Sequence, residues 1–431
     1  MSAIDSCDEP KTFRQASLNH EWREAMKKEI KALEQNGTWT LEALPKNKRA
    51  TDSKWVYKIK YKQMESCKVG YYSYLVGRGC ERNWIIHQLD VNNAFLHGDL
   101  EEEVYMKIPD GFAKQGEARV CRLRKSIYGL KQASRNWYQK FTKALVELEF
   151  RQSKADYSLF IYKSERSYVA ALIYVDYVVI VGNDSVKIQH TKDQLDEMFR
   201  IKDMGPLKYF LGIEVSRTKE GLVLSQRKYT LDILRDSGLE GCKPSSFPLE
   251  QNLKLGKGEG EDKVDSSQYR RLVGRLLYLQ ATRPDITYAV NILSQFVTDP
   301  RQNHMDAATR VLRYLKSTPG QGILLPKEGG MNLLSYCDAD WLGCPLSRKS
   351  RTGYLLSLEG APISWKSKKQ SVVSRSSAEA EYRAMATTVS EVIWARWMLS
   401  ELEAKQGEPT VLFRDNQAAR HIAISKQSSL P

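Results

Sequence analysis

Histidine is scarce in this chain, with six in 431 residues. His87, His97, His190 and His304 share no ligand spacing, so an imidazole-based site is not indicated. The seven cysteines are scattered and form no CxxC pair. That excludes a zinc ribbon or a disulfide framework and fits a reducing compartment. No window approaches the roughly 18 apolar residues of a membrane span. The N-terminal MSAIDSCDEPKTF lacks the apolar core of a secretory signal, so an intracellular location, cytoplasm or nucleus, is expected. The Gly-rich stretch GKGEGEDK (256–263) lacks the GxxxxGK(S/T) spacing and a preceding apolar strand, which excludes a P-loop. Ser374, Ser376 and Ser377 lack a GxSxG setting, which removes a hydrolase nucleophile.

Acidic charge is also in deficit. Lys plus Arg number 66 against 52 Asp plus Glu, a net +14. Such an excess suits a polyanion partner, because each neutralised phosphate releases counterions. The tail from 331 holds 13 basic and 10 acidic residues, so most of the excess lies before it, and the larger first part is the expected polyanion binder. With 42% hydrophobic and 27% charged residues the composition is that of a folded protein of several domains.

Periodicity supplies the elements. In residues 20–35, Trp22, Ala25, Met26, Ile30 and Leu33 fall on one helical face that Asn36-Gly37 ends. KWVYKIKYK (54–62) alternates like a half-exposed strand, whereas 66–83 reads as irregular. IIHQLDV (85–91) is a strand closing on Asp90. A long basic helical stretch covers 121–150, and 168–182 forms two apolar β-branched runs meeting at Asp176. A helix is expected at 186–200, a strand at 208–215 (KYFLGIEV), an exposed loop or linker at 256–263, and mostly helix over 267–316. The pattern resets near 325–331, and a later helix opens with the capping box Ser376-Ser377-Ala378-Glu379.

Asp176 interrupts an otherwise uncharged apolar run. A buried lone carboxylate costs several kcal/mol or more. Either it sits at a hairpin turn, or it is a metal ligand at a hairpin tip beside Asp90. Two carboxylates forced together need a divalent cation, and Mg²⁺ bound by one or two carboxylates suits phosphoryl transfer.

Several long motifs occur in a telling order: QLDVNNAFLHGDLEEEVYM (88–106), KSIYGLKQASRNWYQKF (125–141), YVDY (174–177), KYFLGIEV (208–215) and TRPDI (282–286), then CDADW (337–341), SRKSRTGYLLS (347–357), SWKSKKQ (364–370), SSAEAEYRA (376–384) and DNQAA (415–419). Together they resemble the Pol polyprotein of copia-type LTR retrotransposons, reverse transcriptase followed by ribonuclease H. The resemblance implies an α/β chain with an α+β palm. Fingers and palm would occupy 1–225, thumb and connection 226–330, and a ribonuclease H-like α/β domain, truncated at its C-terminus, 331–431. It implies RNA-directed DNA polymerisation by two-metal nucleotidyl transfer, with Mg²⁺, an RNA template, a DNA primer, RNA–DNA hybrid and deoxynucleoside triphosphates as partners. Asp90 and Asp176 would hold the polymerase metals, and Asp338, Glu381 and Asp415 would belong to the ribonuclease H-like site. Lys125, Lys131, Arg135 and Trp137 would contact the template, the alternative being a solvated helix face with a core Trp.

The departures carry expectations too. Tyr177 stands where the family has the second aspartate of YVDD, and a neutral phenol is a poor Mg²⁺ ligand. YYSYLVGRG (71–79) stands where the family has a stretch like YKARLVAKG. Tyr72 and Tyr74 then replace the two cations that grip the triphosphate, Arg78 helping in part. Gly79 runs almost directly into NWIIHQLDV, so part of the fingers near 79–83 is expected to be missing. The family continues past SKQSSLP into a helix bearing a fourth ribonuclease H carboxylate, and its absence argues against RNA cleavage by this chain. The alternative to an impaired polymerase is a catalytically dead remnant that at most binds nucleic acid.

Overall fold

The computed structural model describes residues 10, 12–57, 69–113, 116–251, 253, 255–258, 260–404 and 406–425. Two compact units interleave along the sequence. The first takes Met1–Gln63, His87–Ser153 and Tyr157–Gly205, and the second Met64–Ile86, Lys154–Asp156 and Pro206–Pro431. The divisions at 225 and 330 drawn from the resemblance are divisions of sequence, and the packing units follow other lines. Elements are numbered here in chain order.

In the first unit α1 (Phe13–Ala16) leads into α2 (His20–Gln35). Asn19 caps α2 by accepting from the Glu21 and Trp22 amides, and Gly37, at φ +62°, ends it. Met26, Ile30 and Leu33 are its buried face, as the periodicity requires. Residues 52–57 form no strand, and 58–62 lie outside the described residues. A three-stranded sheet orders β1 (Trp39–Glu42), β4 (Val120–Lys125) and β3 (Asp99–Met106). The expected helix over 121–150 is therefore shortened: Val120–Lys125 pairs as strand, and α4 spans Ala133–Glu147.

A six-stranded sheet runs β5 (Arg151–Gln152), β6 (Leu159–Lys163), β7 (Tyr168–Tyr174), β8 (Tyr177–Gly182), β2 (Ile85–Val91), β9 (Ile201–Pro206). Its centre is Val169–Ala171 and Val178–Val181, all without exposed surface. β-Branched side chains fit such a surface, which is why the run at 168–182 folds as a hairpin. Helix α5 (Ser185–Phe199) follows, capped by Asp184.

The second unit holds α3 (Val69–Glu81) and a sheet ordered β10 (Tyr209–Phe210), β11 (Ile213–Arg217), β12 (Gly221–Ser225), β13 (Gly322–Pro326). KYFLGIEV is thus not one strand. Leu211 (φ +51°) and Gly212 (φ +75°) both take left-handed conformations, the signature of a type I′ turn, and fold it into a tight hairpin. Helices α6 (Arg227–Asp236), α7 (Ser266–Leu279), α8 (Thr287–Leu293) and α9 (Gln302–Ser317) enclose a core that includes Ile233, Tyr269, Val273, Leu276, Val290 and Leu312. The TRPDI motif is structural: the buried Arg283 clasps the Asp285 carboxylate and donates to Thr318 O. The 256–263 loop is strapped to α9. His304 Nε2 bonds Gly256 O at 2.9 Å, and Asn303 N donates to Glu261 Oε2 at 3.0 Å.

The last sheet orders β16 (Ala361–Lys369), β15 (Arg351–Leu358), β14 (Leu333–Asp340), β17 (Val411–Phe413), with β17 parallel to β14 and the rest antiparallel. Helix α10 (Ser377–Glu401) packs on β14 and β15, and α11 (Gln417–Ser425) follows β17. Ser376 Oγ accepts from Glu379 N, as the capping box predicts. The whole is the mixed α/β architecture that the resemblance implied. No described helix is long and apolar enough to cross a membrane.

Candidate functional site: two carboxylate centres

The first centre lies in the six-stranded sheet. Strands β7 and β8 pair in register to Tyr174 opposite Tyr177, so Val175 and Asp176 form the two-residue turn. Val175 is held at φ +53°, a strained conformation for a β-branched residue. Two hydrogen bonds fix it. Trp137 Nε1 donates to Val175 O at 2.6 Å, and Val91 N donates to Asp176 O at 2.7 Å. The second bond joins the turn to the end of β2, where Asp90 precedes Val91. Asp90 and Asp176 are both half-buried. Tyr128 lies in the same neighbourhood: partial burial, then the charges of Asp176, Glu29 and Asp90, raise its phenol, although the residue stays 47% exposed. Its ring meets Phe95 edge-on at 5.0 Å.

The second centre is in the last sheet. Asp338 on β14, Glu381 on the second turn of α10 and Asp415 just after β17 bring carboxylate oxygens within 4.8 Å of one another. Glu381 is buried and accepts from Ala339 N at 3.1 Å through Oε1. Its Oε2 is buried with no hydrogen-bond partner. Burial, then the neighbouring charges of Asp338 and Asp415, push the Glu381 carboxyl up to about 7, against the pull of the Ala339 amide. Three hard oxygen donors converging on one point, one of them buried, fit a divalent cation. Asp340 shares the strand and the alternation of Asp338, but its carboxylate faces Tyr288 instead.

A reverse transcriptase (RNA-dependent DNA polymerase) family profile matches residues 74–251. The Pol polyprotein of transposon RE2 of Arabidopsis thaliana is 42% identical over 98% of this chain and 31% of its own length. The putative transposon Ty5-1 protein of Saccharomyces cerevisiae is 31% identical over 70% of this chain and 100% of its own length. The chain belongs to the copia-type retrotransposon reverse transcriptase family. It spans about a third of the length of the Arabidopsis Pol polyproteins it matches, 31% and 30% for transposons RE2 and RE1. Among solved structures, a foamy viral protease-reverse transcriptase in complex with dsDNA superposes with a TM-score of 0.52 at 11% identity, over 96% of this chain and 82% of that one. That likeness concerns the fold.

At two stretches the structure differs from, or decides between, the expectations drawn from the sequence. Residues 69–81 are not irregular. They form α3, packed against β12, β13 and β16. Tyr72 and Tyr74 are 2% and 0% exposed, Tyr72 stacked on Phe210 at 4.7 Å and Tyr74 edge-on to Trp394 at 5.7 Å. Arg78 is spent inside the protein, on Glu81 and on the carbonyls of Leu402 and Glu403. Secondly, of the two readings of Trp137, template contact or core residue, its burial favours the core. It is 2% exposed and packs on Phe141, Phe199 and His97, so it offers no face for a base. Lys131 and Arg135 are exposed, while the half-buried Lys125 bonds Asn36 Oδ1 at 3.0 Å. Sequence reasoning missed Tyr128 and the bracing role of Trp137. Both lie in KSIYGLKQASRNWYQKF.

Proposed function

We propose that this chain is a reverse transcriptase that binds RNA template and DNA primer and adds deoxynucleotides at a reduced rate. The observation that carries the reading is the Val91–Asp176 hydrogen bond, which sets the end of the strand bearing Asp90 beside the turn bearing Asp176. Bound Mg²⁺ would acidify the primer 3′-hydroxyl and neutralise charge on the departing pyrophosphate. The chain's part is to hold that chemistry in place. Asp90 and Asp176 supply hard oxygen ligands. Trp137 pins the strained turn. Lys131 and Arg135 are free to meet phosphates. Tyr177 contributes a neutral phenol where the family has a carboxylate, so the site has one negative charge fewer and a weaker hold on the cation.

The burial of Tyr72, Tyr74 and Arg78 favours a second reading. With no cation from α3 for the triphosphate, the chain would bind duplex without extending it. Primer extension on an RNA template separates the two, run beside Tyr177→Asp once both proteins are shown to fold and to bind the duplex. Slow extension by the unaltered chain, quickened at least tenfold in Tyr177→Asp, is the expected result. Silence from both would leave only the binding function.

A further inference from the structure

Helix α10 is apolar on two sides. The helix packs on β14 and β15, and its buried side includes Ala384, Thr388, Ala395, Met398 and Leu399. The opposite side is exposed along 386–400, at Ala386, Val389, Ser390, Ile393, Trp397 and Ser400. Val389, Ile393 and Trp397 are 44%, 63% and 48% exposed. Single apolar residues on a surface need no explanation. These three form one strip, and a helix that is apolar all round is normally covered all round. The strip also lacks charge. The charged residues of 386–400 are Glu391 and Arg396, and neither is on the exposed side. Arg396 is spent on the carbonyls of Gln406 and Glu408 and on Thr410 Oγ1.

Spacing, size and charge along the strip point to the same occupant. Ala386, Ser390, Ile393, Trp397 and Ser400 recur at alternating steps of four and three, the spacing of a seam between helices. At 1.5 Å per residue the seam is about 21 Å long. Its bulky residues, Ile393 and Trp397, lie between small ones. A like helix running antiparallel about Ile393 brings Ser400 level with Ala386, and Trp397 level with Val389 and the small Ser390. Arg383, which holds Glu379, lies one turn before the seam and then comes beside Glu401 of the second copy, while the helix dipoles oppose. A parallel pairing stacks Trp397 on Trp397 and brings the two Arg383 ends together. The net charge of +14 makes copies of this chain repel one another in general, and the uncharged seam is a place where two can meet.

We propose that the outer face of α10 is a homodimer interface, in which two copies of the chain pair antiparallel across a two-fold axis at Ile393. Such an interface is isologous, so the same strip serves both partners. A seam this short buries less than a permanent dimer needs, and the dimer is a weak one. Sedimentation velocity of the full chain, freed of nucleic acid, tests it over a concentration series. Monomer should give way to dimer as concentration rises. Ile393→Glu and Ile393→Lys should each weaken dimerisation by about tenfold or more, because like charges then meet at the axis. An equal mixture of the two variants should recover it. Val186→Glu, at an exposed residue of α5, should leave it unchanged. Under mild oxidation Ile393→Cys should give a covalent dimer that Trp397→Cys and the unaltered chain do not. An unaltered chain that stays monomeric, a dimer indifferent to both changes at 393, or no recovery on mixing overturns the proposal and leaves the strip to a different partner. Covalent dimers formed as readily by Trp397→Cys as by Ile393→Cys overturn the antiparallel alignment. Ile393 and Val186 are 63% and 77% exposed, so their variants should keep the parent's thermal midpoint.

Discussion

Glu381 shows how much chemistry one side chain carries in its surroundings. Its ordinary value is 4.5, and in the folded chain burial raises it to about 7. Between those values the folded protein keeps a proton that the unfolded chain has lost. Stability must therefore fall as pH rises from about 4.5 to about 7, and level off above that. In buffer stripped of divalent ions, the urea midpoint should decline across this window, and Glu381→Gln should flatten the decline. Added Mg²⁺ or Mn²⁺ should raise the midpoint most above pH 7, where the carboxylate is charged and Oε2 can serve as a ligand. An equal decline in the Gln variant would sink this account. Asp338, Glu381 and Asp415 were legible in the sequence because each sits inside a long motif. That Glu381 would be the buried one was not legible, since its burial comes from β14 and α10 closing over a residue 43 positions from Asp338.

At the scale of elements, α3 is the instructive case. Residues 72–80 are all buried, so α3 carries no one-sided periodicity from which a helix could be read. Its near-continuous apolar run, YYSYLV, does not separate a buried helix from a strand. KYFLGIEV misled in the opposite way: its apolar run looks continuous, and only the two left-handed residues at 211 and 212 break it. By contrast α2, β2 and the 168–182 hairpin were plain, since in each the period, the cap or turn residue and the buried face agree. The α3 assignment has a sharp consequence. If position 74 belonged to a finger strand, Tyr74→Lys would restore a phosphate-gripping cation. In α3 the same change buries an ammonium at a site with no exposed surface, which costs several kcal/mol. Tyr74→Lys should lower the urea midpoint sharply and give no gain in extension, even when combined with Tyr177→Asp. A stable variant with faster extension would return the segment to the fingers.

At the scale of the molecule, the chain's path ties distant sequence together. The second unit takes a helix from residues 69–81 and everything from Pro206 onward, with the first unit's main segments lying between them in sequence. Tyr72, Tyr74, Leu75 and Val76 are each at most 2% exposed. Burying side chains of this size stabilises by about 1.5–3 kcal/mol apiece, offset in part by chain entropy and by the Tyr72 hydroxyl, which is buried without a hydrogen-bond partner, so α3 supplies a substantial part of the second unit's core. Arg78 adds the capping of two carbonyls beyond the end of α10. A fragment of residues 206–431 should then fail to fold by itself, binding an apolar dye and melting without a cooperative transition. A peptide of residues 64–86 added in trans should restore cooperative melting, and the same peptide with Leu75→Asp should not. Cooperative melting of the 206–431 fragment alone would mean that α3 decorates the second unit rather than completing its core. The ancestry of this chain would then say more about its folding than the packing of its helices does.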